Sequence, residues 1–466
     1  MDRLLLGIAE GTAVPSPLVT ELRLSELVGA LSHALDLTEG QPKGHCLRAC
    51  WIGMQIGREI GLPEAELWQL YYTLLLKDLG CSSNAARICE LYLTDDLSFK
   101  RDFKFVGESL PEMLRFVFSH TGLSSSLPQR VRAVLNILRN GPQIAQELIQ
   151  TRCQRGADIA RQLRFPEAVA QGIHGLDEHW NGGGKPEGMA GGAIPLYSRI
   201  ALLAQVVDVF QVAAGPQAAL DEALSRAGHW FDPALVRALQ ASAARPDFWL
   251  TLNSPGLDSA VLDQEPGQHR VLLDEDYLDD IATAFGQVVD TKSPFTSGHS
   301  ARVADYTERI AQRLGLPVAR RRWLKRGALL HDVGKLGVSN AVLDKPGKLD
   351  ADEWNAVRSH ALHTEAILSR IGAFGELARV AAAHHERLDG KGYPHGLSGD
   401  AISIETRIIT TADIFDAISA TRPYRAAVPL PQTLAIMAET VGTAIDPLCF
   451  EALTQVLAEE PGGTAG

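Results

Sequence analysis

Apolar residues recur at spacings of three and four along most of the chain, as in ARVADYTERIAQRLGL (301–316), WLKRGALLHDVG (323–334) and GHCLRACWIGMQIGREIGL (44–62), while alternating strand patterns are scarce. This pattern predicts an all-α protein. The longest nearly apolar run, LWQLYYTLLL (67–76), is about ten residues, short of the roughly twenty a bilayer span needs. The N-terminal MDRLLLGIAEGTA lacks the longer apolar stretch of a signal peptide, so neither secretion nor a membrane span is expected.

The helical pattern is written twice. LDLTEGQPKGHCLRACWIGMQIGREIGLPEAE (35–66) overlies VDTKSPFTSGHSARVADYTERIAQRLGLPVAR (289–320) at an offset of 254. The separation from His45 to Lys77 equals that from His299 to His331, so LLLKDLGC overlies ALLHDVGK. Further on, LDEHWNGGGKPEGMAGGAIPLYSRIALLAQVVDVF overlies HHERLDGKGYPHGLSGDAISIETRIITTADIFDAI at an offset of 208. The fall from 254 to 208 means that the first copy carries 46 extra residues after Cys81. Between the copies, Pro246, Pro255, Gly256, Pro266 and Gly267 mark a linker with room for short strands or turns. The expected organisation is two tandem helical bundles, 1–240 and 275–466, joined by a linker at 241–274.

Charge and cysteine usage narrow the function classes. With 44 Lys and Arg against 56 Asp and Glu the net charge is −12, which argues against a general binder of nucleic-acid polymers or of anionic membranes. Any anionic ligand must then meet a local positive site. Six cysteines form no CxxC pair, which fits a reduced, cytoplasmic setting.

The second copy holds a recurrent set of metal-ligand types: His299, His331 with Asp332, His360, His384 with His385, and Asp413. A lone histidine is more often a core or surface residue; the combination is what points to metal. Imidazoles and carboxylates without thiolate suit Fe, Mn or Zn, and Asp332 is the natural bridge between two divalent ions. A bridged pair lowers the pKa of a bound water enough to give a hydroxide nucleophile, which suits phosphate-ester hydrolysis. Lys335 follows Asp332 by three positions and could stabilise phosphoryl oxygens or protonate a leaving oxygen. Glu386 reads equally as a partner orienting a histidine or as a solvated charge. His363 and His395 are expected outside the ligand set.

HDVGK (331–335), HHERLDGKGYP (384–394) and RIITTADIFDAISATRPYR (407–425) resemble the HD-GYP family, a branch of the HD-domain metal-dependent phosphohydrolases. The resemblance covers about 275–440. It implies a helical fold, two or three metals, usually iron or manganese, and hydrolysis of cyclic di-GMP to pGpG or on to GMP. It makes His299, His331, Asp332, His360, His384, His385 and Asp413 ligands, with Lys335 the catalytic lysine. Arg422 and Arg425 match positions that contact substrate phosphate, a role suited to bidentate guanidinium. Tyr393 would line the substrate pocket or pack under its glycine-rich loop. Family members with a third metal carry a glutamate where this chain has Phe295, so two metals are expected. The alternatives are a phosphohydrolase of another nucleotide, or a cyclic di-GMP receptor or signalling scaffold with little turnover. Under each of these readings a homodimer or a signalling-protein partner is open.

The first copy keeps His45 and Asp78 but has Lys77, Cys81, Arg152, Leu176, Asp177 and Gln205 where the second has His331, Lys335, His360, His384, His385 and Asp413. Its counterpart of the GYP triplet is Gly184, Lys185 and Pro186. A cation at a ligand position repels metal, so this copy is expected to be metal-free and non-catalytic. Two roles remain open for it: a packing or dimer scaffold, or a regulatory site where Lys77, Arg152 and Lys185 hold an anion.

Overall fold

The computed structural model describes residues 22–107, 109–267, 273–421 and 426–459, and among them no β-strand forms. The two copies share boundaries as well as pattern. His45–Glu59 and Glu64–Leu76 in the first match His299–Arg313 and Val318–Leu330 in the second, residue for residue at the offset of 254. Glu167–His174 likewise matches Gly375–Ala382 at the offset of 208. Helix starts follow local chemistry: the Asp95 carboxylate accepts from the amides of Leu97 and Ser98, and Asp350 forms a reciprocal cap with Glu353. Asp232 and Asp446 cap the final helix of each copy, each followed by a proline at the first helical position.

The copies do not fold as separate beads. One continuous apolar core runs from Leu24 to Leu457. The first helix of copy one, Leu24–Thr38, packs on the short 3-10 helix Val333–Gly337 and on Ala351–Leu368 of copy two. Reciprocally, Glu275–Asp290 of copy two packs on Cys81–Asn84 and Leu127–Gln162 of copy one. Each copy therefore buttresses the turn of the other that follows the Lys77–Asp78 or His331–Asp332 pair.

Over 241–267 the linker is more ordered than its composition suggests. It forms two short helices, Pro246–Leu252 and Leu257–Leu262, where strands or turns were expected, and Leu252, Leu257 and Val261 join the core. The proline and glycines lie at helix starts and between helices, where they do not interrupt the backbone ladder. The 46 extra residues of copy one form Ala85–Tyr92, Asp96–Phe103 and Leu110–His120 before joining the N-terminal half of Leu127–Gln162. Leu196–Ala214 is long and apolar enough to cross a bilayer, a length the apolar-run count did not reveal, yet 72% of its apolar window is buried inside the fold. It serves as the central helix of copy one.

Candidate metal centre

The ligand types of copy two come from separate elements whose ends converge. His299 opens His299–Arg313 immediately after Gly298, which holds φ at +68°. His331 ends Val318–Leu330 and Asp332 begins the 3-10 turn. His360 lies within Ala351–Leu368, His384 and His385 form the turn after Gly375–Ala382, and Asp413 lies on Ile404–Ser419. Gly334 brings the His331–Asp332 turn directly against the backbone of His360, where a Cβ would collide with the His360 carbonyl and the Thr364 amide. Gly80 makes the same approach to Arg152 in copy one.

Asp332 divides the site. Its Oδ2 lies 3.4 Å from His299 Nε2 and 3.2 Å from His331 Nε2, while its Oδ1 lies 3.5 Å from His360 Nε2 and 3.6 Å from His384 Nε2. Asp413 Oδ1 joins the first group, 3.3 Å from His299 Nε2 and 3.8 Å from His331 Nε2. His385 joins the second, its ring centre 4.0 Å from that of His384 and 5.1 Å from that of His360. All seven expected ligands are thus brought together around the two oxygens of Asp332, and His331, His384 and Asp413 also cluster across that divide.

Four of the five imidazoles are anchored through Nδ1. His331, His360 and His384 donate Nδ1–H to the carbonyls of Ala328, Val357 and Ala381 at 2.6, 2.5 and 2.6 Å, each three residues back. His299 donates Nδ1–H to Asp416 Oδ2 at 2.6 Å. Each of these four Nε2 atoms consequently faces the centre. His299 Nε2, His331 Nε2 and Asp332 Oδ1 are buried with no hydrogen-bond partner. Buried polar atoms are seldom left orphaned. A donor set of imidazole nitrogens and carboxylate oxygens with inward-facing orphan atoms fits two divalent cations.

Electrostatics follow from burial. Desolvation holds the His360 imidazole down to about 3 and that of His385 to about 4, and lowers His384 well below its ordinary value, so all three stay neutral. For His299 burial acts in the same direction but is outweighed by Asp332, Asp413 and Asp416, which raise it. Burial would raise Asp332, but His331 and Lys335 hold it well below the carboxylate range. Lys335 Nζ lies 2.5 Å from Asp332 Oδ2 and reaches towards solvent from the edge of the ligand set.

Tyr393 packs tilted on the His385 ring at 4.8 Å, with the Arg358 guanidinium 5.5 Å from its ring centre. Arg422 and Arg425 lie outside the described residues. Phe295 lines a cleft with Arg302, Tyr306 and Asp416 beside His299. Glu386 does not orient a histidine and is not solvated: it is buried and accepts from the amides of His395 (2.6 Å) and Leu397 (2.9 Å), bracing the glycine-rich loop. His395 pairs with Glu365 at the surface and His363 packs under the Gly334 turn, both apart from the ligand sets.

Asp416 escaped the sequence reading, although a signal existed. It matches Asp208 of copy one, and Arg302 matches Arg48. In copy one, Asp208 bonds His45 Nδ1 at 2.7 Å and Arg48 Nε at 2.5 Å, repeating the arrangement around Asp416. Identity at a position whose ligand neighbours have been replaced marks a supporting residue. Lys77 sends Nζ to 3.0 Å from His45 Nε2 and pairs with Asp78, so a tethered ammonium faces the retained histidine and carboxylate. Glu39 faces Lys104 at 2.9 Å, and burial keeps the adjacent Cys81 thiol protonated.

The HD domain family model matches residues 118–235 and 284–448, one segment in each copy. The chain belongs to the HD-domain family. Its resemblance is to the HD-GYP branch, and it is 59% identical over 434 residues to the 3′3′-cGAMP-specific phosphodiesterase 3 of Vibrio cholerae, covering 93% of this chain and 94% of that one. The crystal structure of the cyclic GMP-AMP specific phosphodiesterase V-cGAP3 of V. cholerae matches with a TM-score of 0.66 at 53% identity, over 95% of this chain and 100% of that chain. The cyclic di-GMP phosphodiesterase response regulator RpfG of Xanthomonas campestris is 40% identical over 162 residues, 34% of this chain and 42% of that protein.

Proposed function

We propose that this HD-domain protein is a metal-dependent phosphodiesterase that opens a cyclic dinucleotide to its linear form, with 3′3′-cGAMP as the preferred substrate. The observation that carries the reaction is Asp332, whose two oxygens face two separate histidine sets in a buried site. Preference for 3′3′-cGAMP rests on the relative that matches both copies along 93% of the chain. Cyclic di-GMP, the substrate expected from the motif resemblance, is the second reading and is favoured by the match to RpfG.

His299, His331, Asp332 and Asp413 would hold one cation, and His360, His384, His385 and Asp332 the other. Two iron or manganese ions, when bound, supply a hydroxide nucleophile at neutral pH and Lewis-acid stabilisation of the phosphoryl oxygens. Phe295 offers no third-site carboxylate. Lys335, one carboxylate away from both sets, is placed to neutralise charge on the phosphoryl group or to protonate the departing 3′ oxygen. Arg358 with Tyr393 at the mouth, and Arg422 with Arg425, orient the phosphates and bases. Copy one, whose carboxylates already face ammonium groups, takes no part in the chemistry.

The test is hydrolysis of 3′3′-cGAMP and cyclic di-GMP by manganese-loaded protein, with chromatography of products, metal counting and Asp332→Ala as control. The expected result is two ions per chain, a linear dinucleotide product absent from the control, and a higher kcat/KM for 3′3′-cGAMP. A reversed preference establishes the cyclic di-GMP reading. Binding of either compound by the two-metal protein without turnover overturns the enzyme assignment in favour of a receptor.

A further inference from the structure

A chamber of about 450 Å³ lies in copy one where the second copy has its metal centre. Arg152, Asp177, Gln205 and Lys185 line it, at the positions of His360, His385, Asp413 and Tyr393. The 46-residue insertion roofs it with Ile88, Tyr92 and Phe99, and Leu196–Ala214 adds Val206 and Val209. Its size falls within the roughly 300–1,000 Å³ of small-molecule sites, and its apolar walls do not suit the sugar-phosphate ring of a cyclic dinucleotide.

Among the described residues the lining carries more cationic than anionic side chains. Lys100, Lys104, Arg152 and Lys185 face Glu39 and Asp177. Lys104 pairs with Glu39 and Arg152 with Asp177. Lys100 Nζ donates to the carbonyls of Thr38 (3.1 Å) and Cys81 (2.7 Å) and lies 4.0 Å from Asp96 Oδ2, whereas Lys185 Nζ donates to the neutral Gln146 amide oxygen (3.0 Å). Lys185, whose ammonium meets a neutral amide oxygen beside apolar walls, matches the head of an organic anion with an apolar body.

The roof is also the contact with the catalytic copy. Asp96 begins the helix that carries Phe99 and Lys100, and its carboxylate accepts from Asn340 N (2.8 Å), Ser339 Oγ (3.1 Å) and Lys292 Nζ (3.3 Å). Asn340 in turn donates to the Lys292 carbonyl at 2.6 Å. Ser339 and Asn340 directly follow the Val333–Gly337 turn that holds Lys335, and Lys292 precedes the loop leading to His299. One turn of one helix therefore separates the chamber wall from the support of the catalytic turn.

We propose that the chamber of copy one is a regulatory site for a small amphipathic organic anion, apolar body under the Tyr92–Phe99 roof and anionic head at Lys185, whose occupancy reaches the catalytic copy through Asp96. The site is read with the aromatic sulfonate 1-anilinonaphthalene-8-sulfonate on the full-length protein, by fluorescence titration, and the relay by hydrogen exchange of residues 336–344. The expected result is one saturable site per chain, lost in Ala145→Trp, which fills the chamber from a half-buried helix position, and weakened at least tenfold in Lys185→Glu. Saturation slows exchange at 336–344 in the parent; Asp96→Asn, or the milder Ser339→Ala, removes that slowing while dye binding persists. Dye binding unaltered in both chamber variants overturns the site. Exchange unaltered by saturation, or slowed equally in both relay variants, overturns the relay. No readout uses turnover, so these results stand apart from the substrate assignment.

Discussion

Asp416→Asn separates support of the metal centre from support of the fold. The Asp416 carboxylate is buried, accepts from His299 Nδ1 at 2.6 Å and takes Arg302 Nε and Nη2 at 2.5 and 3.0 Å. Asparagine keeps the shape but loses the charge, and either orientation of its amide sets an NH2 group against a donor. Loss of a hydrogen bond to a charged group costs about 1.5–3 kcal/mol. Loss of a partner that orients a metal-binding histidine lowers metal affinity or activity about 10- to 100-fold. The assay is manganese titration with metal counting, together with kcat/KM as a function of free manganese. Asp208→Asn is the internal control, because Asp208 holds His45 and Arg48 in the same geometry without the ligand set. The expected outcome is a 10- to 100-fold weaker apparent metal affinity for Asp416→Asn, with parental affinity for Asp208→Asn. Parental manganese affinity in Asp416→Asn, or equal loss in Asp208→Asn, refutes the orienting role.

Lys335→Met is expected to lower kcat by about 10²–10⁴-fold, the range for loss of a proton-transfer group, while metal content stays at two per chain by elemental analysis. Lys77→Met leaves the Asp78 carboxylate buried opposite an apolar group; breaking such a pair costs about 3–5 kcal/mol, read as a lower urea midpoint with metal content unchanged. The Asp258 carboxyl is held down to about 2, first by the His33 imidazole 3.8 Å away and then by Arg370 at 2.6 Å, against the opposing effect of burial. A depressed carboxyl stabilises the fold above its unfolded pKa of about 3.9 and loses that contribution as pH falls through the folded value. The gap in thermal midpoint between the parent and Asp258→Asn should therefore hold between about pH 4 and about pH 6, below the raised pKa of His33, and close towards about pH 2; a gap unchanged between about pH 4 and about pH 2 counts against the pairing.

Apolar spacing alone was enough to place helices such as His299–Arg313 and Val318–Leu330, because that spacing is set within a few turns of one helix. The internal repeat and the seven positions that the fold brings together were legible for a related reason: each of these side chains occupies a fixed place on a helix or helix end, and the order of those places is linear information. Which oxygen of Asp332 meets which histidines was not, since that depends on how five separated elements pack. The same holds for Asp416, which meets His299 across 117 positions of sequence, and for Glu386, whose partners are backbone amides of a folded loop. The linker looked irregular because proline and glycine read as breaks, whereas packing against the core made helices between them. Lys77 appeared only as a lost ligand until the fold aimed its ammonium at His45 and Asp78. The chamber, enclosed by an insertion folding back over a site that had changed its side chains, exists only as a relation among distant residues, and a linear pattern carries local periodicity but not that enclosure.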